Sequence, residues 1–227
     1  MIRLVVFDID GVITDGTVIV DMNGTEQKKI NLKDIDAIFE LHREQFKLAA
    51  ITGENTEIVH YFEKRFPWDY FYCGAKKKTE ILREIEQKEQ LKPEEICYIG
   101  DGKYDVEPLE HAGLGICPAD AIDRAKQASN MILQKEGGQG CLWELIQILK
   151  DYNSQELPVN YFYQRLEEHE NILKKNGNRS QGNRYCYGSG RRYLQDVWAK
   201  RTAVPVWKRR KRCGCPAYRD GVRQPFL

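Results

Sequence analysis

The chain has 227 residues and a formal net charge of +1, enough for one large domain or a mid-sized domain with an appendage. That neutrality is a cancellation: residues 1–150 carry 19 Lys+Arg against 27 Asp+Glu, whereas residues 151–227 carry 16 against 7. No apolar run approaches the roughly 18 residues that a membrane helix needs, and Met1–Asp8 turns acidic too soon for a signal peptide. Seven cysteines is an odd number, and Cys73, Cys97, Cys117 and Cys141 sit singly in apolar segments. Such a pattern suits buried free thiols in a reducing, cytoplasmic compartment.

Taken in chain order, short apolar runs predict strands at 4–7, 48–51, 70–73, 96–99, 114–117 and 131–133. They are continuous rather than alternating, as strands buried on both faces are. Amphipathic stretches at 34–43, 56–65, 78–89, 106–112, 121–128 and 141–150 predict the helices between them. The alternation argues an α/β fold, a Rossmann-like three-layer arrangement with a parallel sheet covered on both sides. One segment departs from it. Thr17–Glu26 places Asn23-Gly24 between β-prone arms, which predicts a β-hairpin projecting as a flap after the first strand. After residue 152 the pattern changes. An amphipathic helix is expected within 153–175, carrying Leu157, Tyr161, Tyr163 and Leu166, and a basic, disordered or non-native tail over 176–227.

Chemistry concentrates at the strand ends. Asp8 and Asp10 follow the first strand, and residues two apart on a strand point the same way. Asp101 and Asp105 follow the strand at 96–99, and the carboxyl ends of parallel strands are where such sheets bind ligands. Four carboxylates meeting at one point repel unless a cation intervenes. A hard ion with oxygen ligands, most simply Mg²⁺, resolves the conflict. Thr52-Gly53 adds a hydroxyl and a backbone amide, and Lys76-Lys77-Lys78 adds cations before a helix. Carboxylates, a metal, a hydroxyl and a lysine suit phosphoryl transfer.

Asp8-x-Asp10-Gly11-Val12, Thr52 44 residues on, Lys78 26 further and Asp101 23 beyond that resemble the four motifs of the haloacid dehalogenase-like phosphatases. The resemblance spans residues 1–150. It implies Asp8 as nucleophile through an aspartyl-phosphate, and Asp10 as the acid and then the base. It also implies Mg²⁺ held by Asp8, the Asp10 carbonyl and Asp101 with Asp105 behind them, and phosphoryl oxygens held by Thr52, Gly53 and Lys78. Lys77 is the nearest rival to Lys78. The short first interval leaves no room for a separate cap domain beyond the hairpin. DIDGVITDG at 8–16 and Gly137-Gly138-Gln139-Gly140 further resemble the tetrameric, capless 3-deoxy-D-manno-octulosonate 8-phosphate (Kdo 8-phosphate) phosphatases and their nonulosonate 9-phosphate relatives. In that group the glycine-rich segment reaches a neighbouring subunit's site. Glu54 and Gln139 stand where the Kdo group commonly has arginines, which makes them the candidate specificity residues and brings the chain nearer the nonulosonate branch. Gly102 replaces a frequent second aspartate. The resemblance therefore implies a homotetrameric, cytoplasmic sugar-acid phosphatase of lipopolysaccharide or related sugar-acid biosynthesis.

The alternative is a catalytically silent domain of the same fold serving as an oligomerisation or regulatory module. A phosphoacceptor receiver lacks the Asp-x-Asp pair, and neither a dinucleotide nor a P-loop glycine motif occurs. In the tail, Lys208–Arg212 beside Trp207 suits nucleic acid, and Cys186, Cys213 and Cys215 supply three thiols without a fourth zinc ligand. The abrupt change of composition favours a disordered or frameshifted end over either.

Overall fold

A computed structural model of the protein describes residues 1–154. Six parallel strands form one sheet: β1 (Leu4–Phe7), β4 (Lys47–Ile51), β5 (Tyr70–Tyr72), β6 (Ile96–Ile99), β7 (Leu114–Cys117) and β8 (Met131–Ile132). Their order is β5-β4-β1-β6-β7-β8. The chain leaves β1 outward to β4 and β5, then crosses back to build β6, β7 and β8 on the other side. The winding reverses between β1 and β6, and such a reversal opens a crevice at the strands' carboxyl ends. Both Asp8 and Gly100 follow directly on these two strands.

Side chains alternate across the sheet, so its central strands feed two cores. Val5, Phe7, Leu48, Ala50, Cys97 and Ile99 meet α1 (Leu32–Arg43), α2 (Glu57–Arg65) and α6 (Cys141–Ser154). Leu4, Val6, Ala49, Ile51, Ile96 and Tyr98 meet α3 (Lys78–Glu89), α4 (Val106–His111) and α5 (Asp123–Ala128). Fully burying a side chain of this size contributes about 1.5–3 kcal/mol, which is why these short runs need no polar alternation. The three-layer α/β architecture expected from the sequence is the one observed. The last helix runs through Ser154, four residues past the expected end at 150; Tyr152 is buried and Asn153 hydrogen-bonds both the N–H and the C=O of Ile2 at 2.7 and 2.9 Å. Of the segment 153–175, where a separate amphipathic helix is expected, residues 153 and 154 belong to α6; the rest of it and the tail at 176–227 lie outside the described residues.

The hairpin is present as β2 (Ile19–Val20) and β3 (Glu26–Gln27), antiparallel, with Ile19 opposite Gln27. Its loop is longer than a two-residue Asn-Gly turn. Gly24 takes φ +80° and donates to the carbonyl of Asp21, whose carboxylate accepts the N–H groups of Asn23 and Thr25, both at 2.8 Å. This is a three-residue loop closed by a left-handed glycine. Val18, Ile19, Val20 and Met22 are exposed. Cys97, Cys117 and Cys141 are buried free thiols as expected, but Cys73 is partly exposed. It sits just past the edge strand β5, where its Sγ donates to Asn55 Oδ1. Among the described residues no helix is long and apolar enough to cross a membrane.

Candidate active site

Asp8 continues β1, its N–H donating to the carbonyl of Ile99 at 2.9 Å. One carboxylate oxygen accepts the N–H of Ile9 at 2.7 Å, and the other lies 2.9 Å from Lys78 Nζ. Lys78 opens α3 but sends its side chain inward, to 2.7 Å from Asp105 Oδ1. Asp105 also accepts the Tyr98 hydroxyl at 2.6 Å and the Gly102 N–H at 2.9 Å. Its Oδ1 thereby holds Lys78 and Tyr98, and its Oδ2 holds the turn at Gly102. Among the three lysines the geometry is unambiguous: Lys78 is buried, whereas Lys77 is exposed and pairs with Glu80, and Lys76 is exposed.

Asp8, Asp101 and Asp105 each offer a carboxylate oxygen within 4.8 Å of the others. Burial and then Asp105 hold the Asp8 carboxyl well above the usual carboxylate range, and the pull of Lys78 in the other direction does not win. Asp101 is pushed up to about 7, by burial first and Asp105 second. For Lys78 itself burial acts downward, but the two carboxylates outweigh it and its pKa is raised. One ammonium does not balance three carboxylates. A set of hard oxygen donors carrying surplus negative charge in a half-closed crevice fits a small divalent cation. Gly11 completes the cradle: with φ +77°, it passes so close to Asp101 that any Cβ would collide with that carboxylate.

The fourth carboxylate does not join them. The first strand ends at Phe7, so the alternation expected for Asp8 and Asp10 no longer applies at position 10. The N–H groups of Val12, Ile13 and Thr14 converge on the Ile9 carbonyl, and this tight turn directs the Asp10 side chain towards the hairpin. There Asp10 Oδ1 accepts Lys28 Nζ at 2.7 Å and Thr14 Oγ1 at 3.3 Å. Neither Lys28 nor Tyr98 is among the residues expected from the sequence: Lys28 has one signal there, a lysine just after a flap beside an acidic strand end, and Tyr98 has only a polar tip in a central strand that must find a buried partner.

Thr52 is buried at the end of β4, its Oγ1 accepting the Glu54 N–H at 3.2 Å and its carbonyl the Ala75 N–H at 2.9 Å. Gly53 is partly exposed beside it, and Glu54 is exposed. Gly137 and Gly138 pack on this chain's own Gly11–Asp15 loop, where a Cβ on either would strike backbone. Gly138 N–H donates to the Val12 carbonyl at 3.0 Å. Within the chain, these two glycines form an internal buttress for that loop. The two backbones close to this distance because neither Gly137 nor Gly138 carries a Cβ. Gln139 is exposed on its outer side.

Similarity to known proteins follows the same residues. A family model for haloacid dehalogenase-like hydrolases matches residues 73–145. The 3-deoxy-D-manno-octulosonate 8-phosphate phosphatase KdsC of Escherichia coli K12 is 28% identical over 148 residues, 65% of this chain and 79% of that one. The structure of a candidate phosphatase of the same name from Vibrio cholerae superposes with TM-score 0.64 at 30% identity, covering 70% of this chain and 88% of that one. The Moraxella catarrhalis phosphatase, solved with magnesium, phosphate and Kdo, superposes with TM-score 0.63 at 26% identity, covering 67% of this chain and 90% of that one. The crevice between β1 and β6, the carboxylates around Lys78 and these likenesses converge: this chain belongs to the haloacid dehalogenase-like hydrolases.

Proposed function

We propose that the chain is a Mg²⁺-dependent phosphomonoesterase acting on a sugar-acid phosphate of the 3-deoxy-2-ulosonate type, Kdo 8-phosphate or a nonulosonate 9-phosphate. The observation that carries this reading is the convergence of Asp8, Asp101 and Asp105 within 4.8 Å around the buried Lys78. Relatives named for Kdo 8-phosphate support the substrate class.

In this reading Asp8 attacks phosphorus, and the bond from phosphorus to the sugar oxygen breaks. Asp10 gives its proton to that oxygen, which would otherwise leave as a poor alkoxide; a positioned acid contributes roughly 10²–10⁴ in rate. Asp10 then takes a proton from a water that attacks the phosphoaspartate, releasing phosphate and restoring Asp8. Two displacements replace one very slow hydrolysis. The Lys78 ammonium, the Thr52 hydroxyl and the Gly53 N–H hold the phosphoryl oxygens, and Asp105 with Tyr98 keeps Lys78 in place. The Asp8 and Asp101 carboxylates and the Asp10 carbonyl would hold Mg²⁺, which would supply positive charge to keep Asp8 ionised and to offset the charge on the transferring group. Glu54 and Gln139, both exposed near the rim loops, are the residues proposed to set the choice between the two substrate types.

Turnover of p-nitrophenyl phosphate with Mg²⁺ tests the chemistry. Wild type is expected to turn over and Asp8→Asn to fall to background. An inactive wild type, or an Asp8→Asn protein indistinguishable from it, would support the catalytically silent alternative instead. Comparing kcat/KM for Kdo 8-phosphate and nonulosonate 9-phosphates then ranks the substrates.

A further inference from the structure

Lys28 is the residue through which the hairpin touches the chemistry. It follows β3 directly, on an element whose arms expose Ile19 and Val20. Yet the side chain of Lys28 is only 3% exposed, and its ammonium lies 2.7 Å from Asp10 Oδ1. A lysine gives up solvation and side-chain freedom to be buried this way, and this one does so at a single carboxylate. The geometry at Asp10 shows what that contact controls. Thr14 Oγ1 reaches the same oxygen at the longer distance of 3.3 Å, while Asp10 Oδ2 is buried without a hydrogen-bond partner among the described residues. The rotation of this carboxylate therefore depends on Lys28, with Thr14 as a weaker second hold. The hairpin's base is fixed nearby, where Thr14 bridges Ile30, so Lys28 and Thr14 belong to one hinge region.

We propose that Lys28 is a positioning residue: carried in by the hairpin, it fixes the Asp10 carboxyl group in the orientation that delivers a proton to the leaving oxygen. The proposal rests on the reading of Asp10 as the general acid. Proton delivery matters in proportion to how poor the leaving group is, and that gives the role a signature. A residue that only holds the fold, or that only binds the substrate's carboxylate, affects phosphate esters of good and poor leaving groups alike.

The test compares kcat/KM for phenyl phosphate and p-nitrophenyl phosphate with Mg²⁺, in wild type, Lys28→Met, Lys28→Arg and Asp10→Asn. Neither ester carries a carboxylate, and kcat/KM reports the step in which the leaving group departs. Phenol is the poorer leaving group. In Lys28→Met the phenyl to p-nitrophenyl ratio is expected to fall on the order of tenfold, a part of the 10²–10⁴ that a positioned acid supplies. Lys28→Arg is expected to recover part of it, and Asp10→Asn to show the same shift, larger. The ratio is taken within one preparation, so any misfolded fraction cancels. An unchanged ratio in Lys28→Met, beside a shifted ratio in Asp10→Asn, overturns the role of Lys28 alone. An unchanged ratio in Asp10→Asn overturns the underlying assignment of the acid as well.

Discussion

Asp8 and Asp101 carry an excess of negative charge that one lysine does not balance, and this makes the stability of the site depend on both pH and metal. Burial comes first and Asp105 second in raising both carboxyl groups, Asp101 to about 7. An ordinary unfolded aspartate ionises near pH 4. Between about pH 4 and 7 the folded, metal-free protein therefore holds protons that the unfolded chain has lost, and stability falls as pH rises through that window. A divalent cation needs the ionised carboxylates, so its stabilisation grows in the same direction. Melting temperatures at pH 5 and 7.5, with and without Mg²⁺, are expected to show a larger Mg²⁺ increment at pH 7.5; an equal increment at both would argue against these carboxylates as its ligands. Asp8, Asp101, Thr52 and Lys78 were legible as candidates because each stands at a fixed offset from a strand or helix end. Lys28 and Tyr98 were hidden because their roles depend on contacts across 18 and 7 residues with no local pattern. Asp10 stands apart from the three clustered carboxylates because strand alternation ends with β1 at Phe7.

Helix α6 begins where the glycine-rich segment ends, and its start is held by a residue of α1. The Asp34 carboxylate accepts the N–H groups of Gly140 and Leu142 at 2.8 and 2.9 Å and is fully buried. Burial raises its pKa, and the two N–H groups and Lys135 oppose that without cancelling it. Removing a capping carboxylate costs about 0.5–2 kcal/mol, and leaving buried donors unsatisfied adds to it. Asp34→Ala is expected to destabilise the protein by about 2 kcal/mol in chemical denaturation and to lower activity, because Gly137 and Gly138 buttress the Gly11–Asp15 loop. Stability within a few tenths of a kcal/mol of wild type would show that this junction is not held by Asp34. The strands and helices themselves were readable from hydrophobic runs, with ends that coincide or shift by at most four residues. The exception in kind was the hairpin loop, where Asp21 reorganises what Asn23-Gly24 alone suggested.

Every side chain assigned a role in the chemistry lies within residues 1–154, while residues 151–227 hold the positive charge surplus. A chain ending at Asn176 is accordingly expected to keep wild-type kcat/KM on p-nitrophenyl phosphate and its assembly state, proposed to be a homotetramer, by light scattering. Loss of either would extend the functional unit beyond that point. The exposed Val18, Ile19, Val20 and Met22 of the hairpin are the apolar surface such an assembly would cover. The placement of β1 has one more consequence, and it concerns synthesis. This first strand is central, paired to Lys47–Ile51 on one side and Ile96–Ile99 on the other. Its amino end is clasped by Asn153, and the loop that follows it is closed from behind by Gly137 and Gly138. A chain emerging from the ribosome at about 5–20 residues per second thus makes Asp8, the proposed nucleophile, more than a hundred residues before its last buttress. Asp8 waits for Lys78, Asp101 and Asp105 until they are made 70 to 97 residues later, and the crevice closes only when the far end of the domain packs on the beginning.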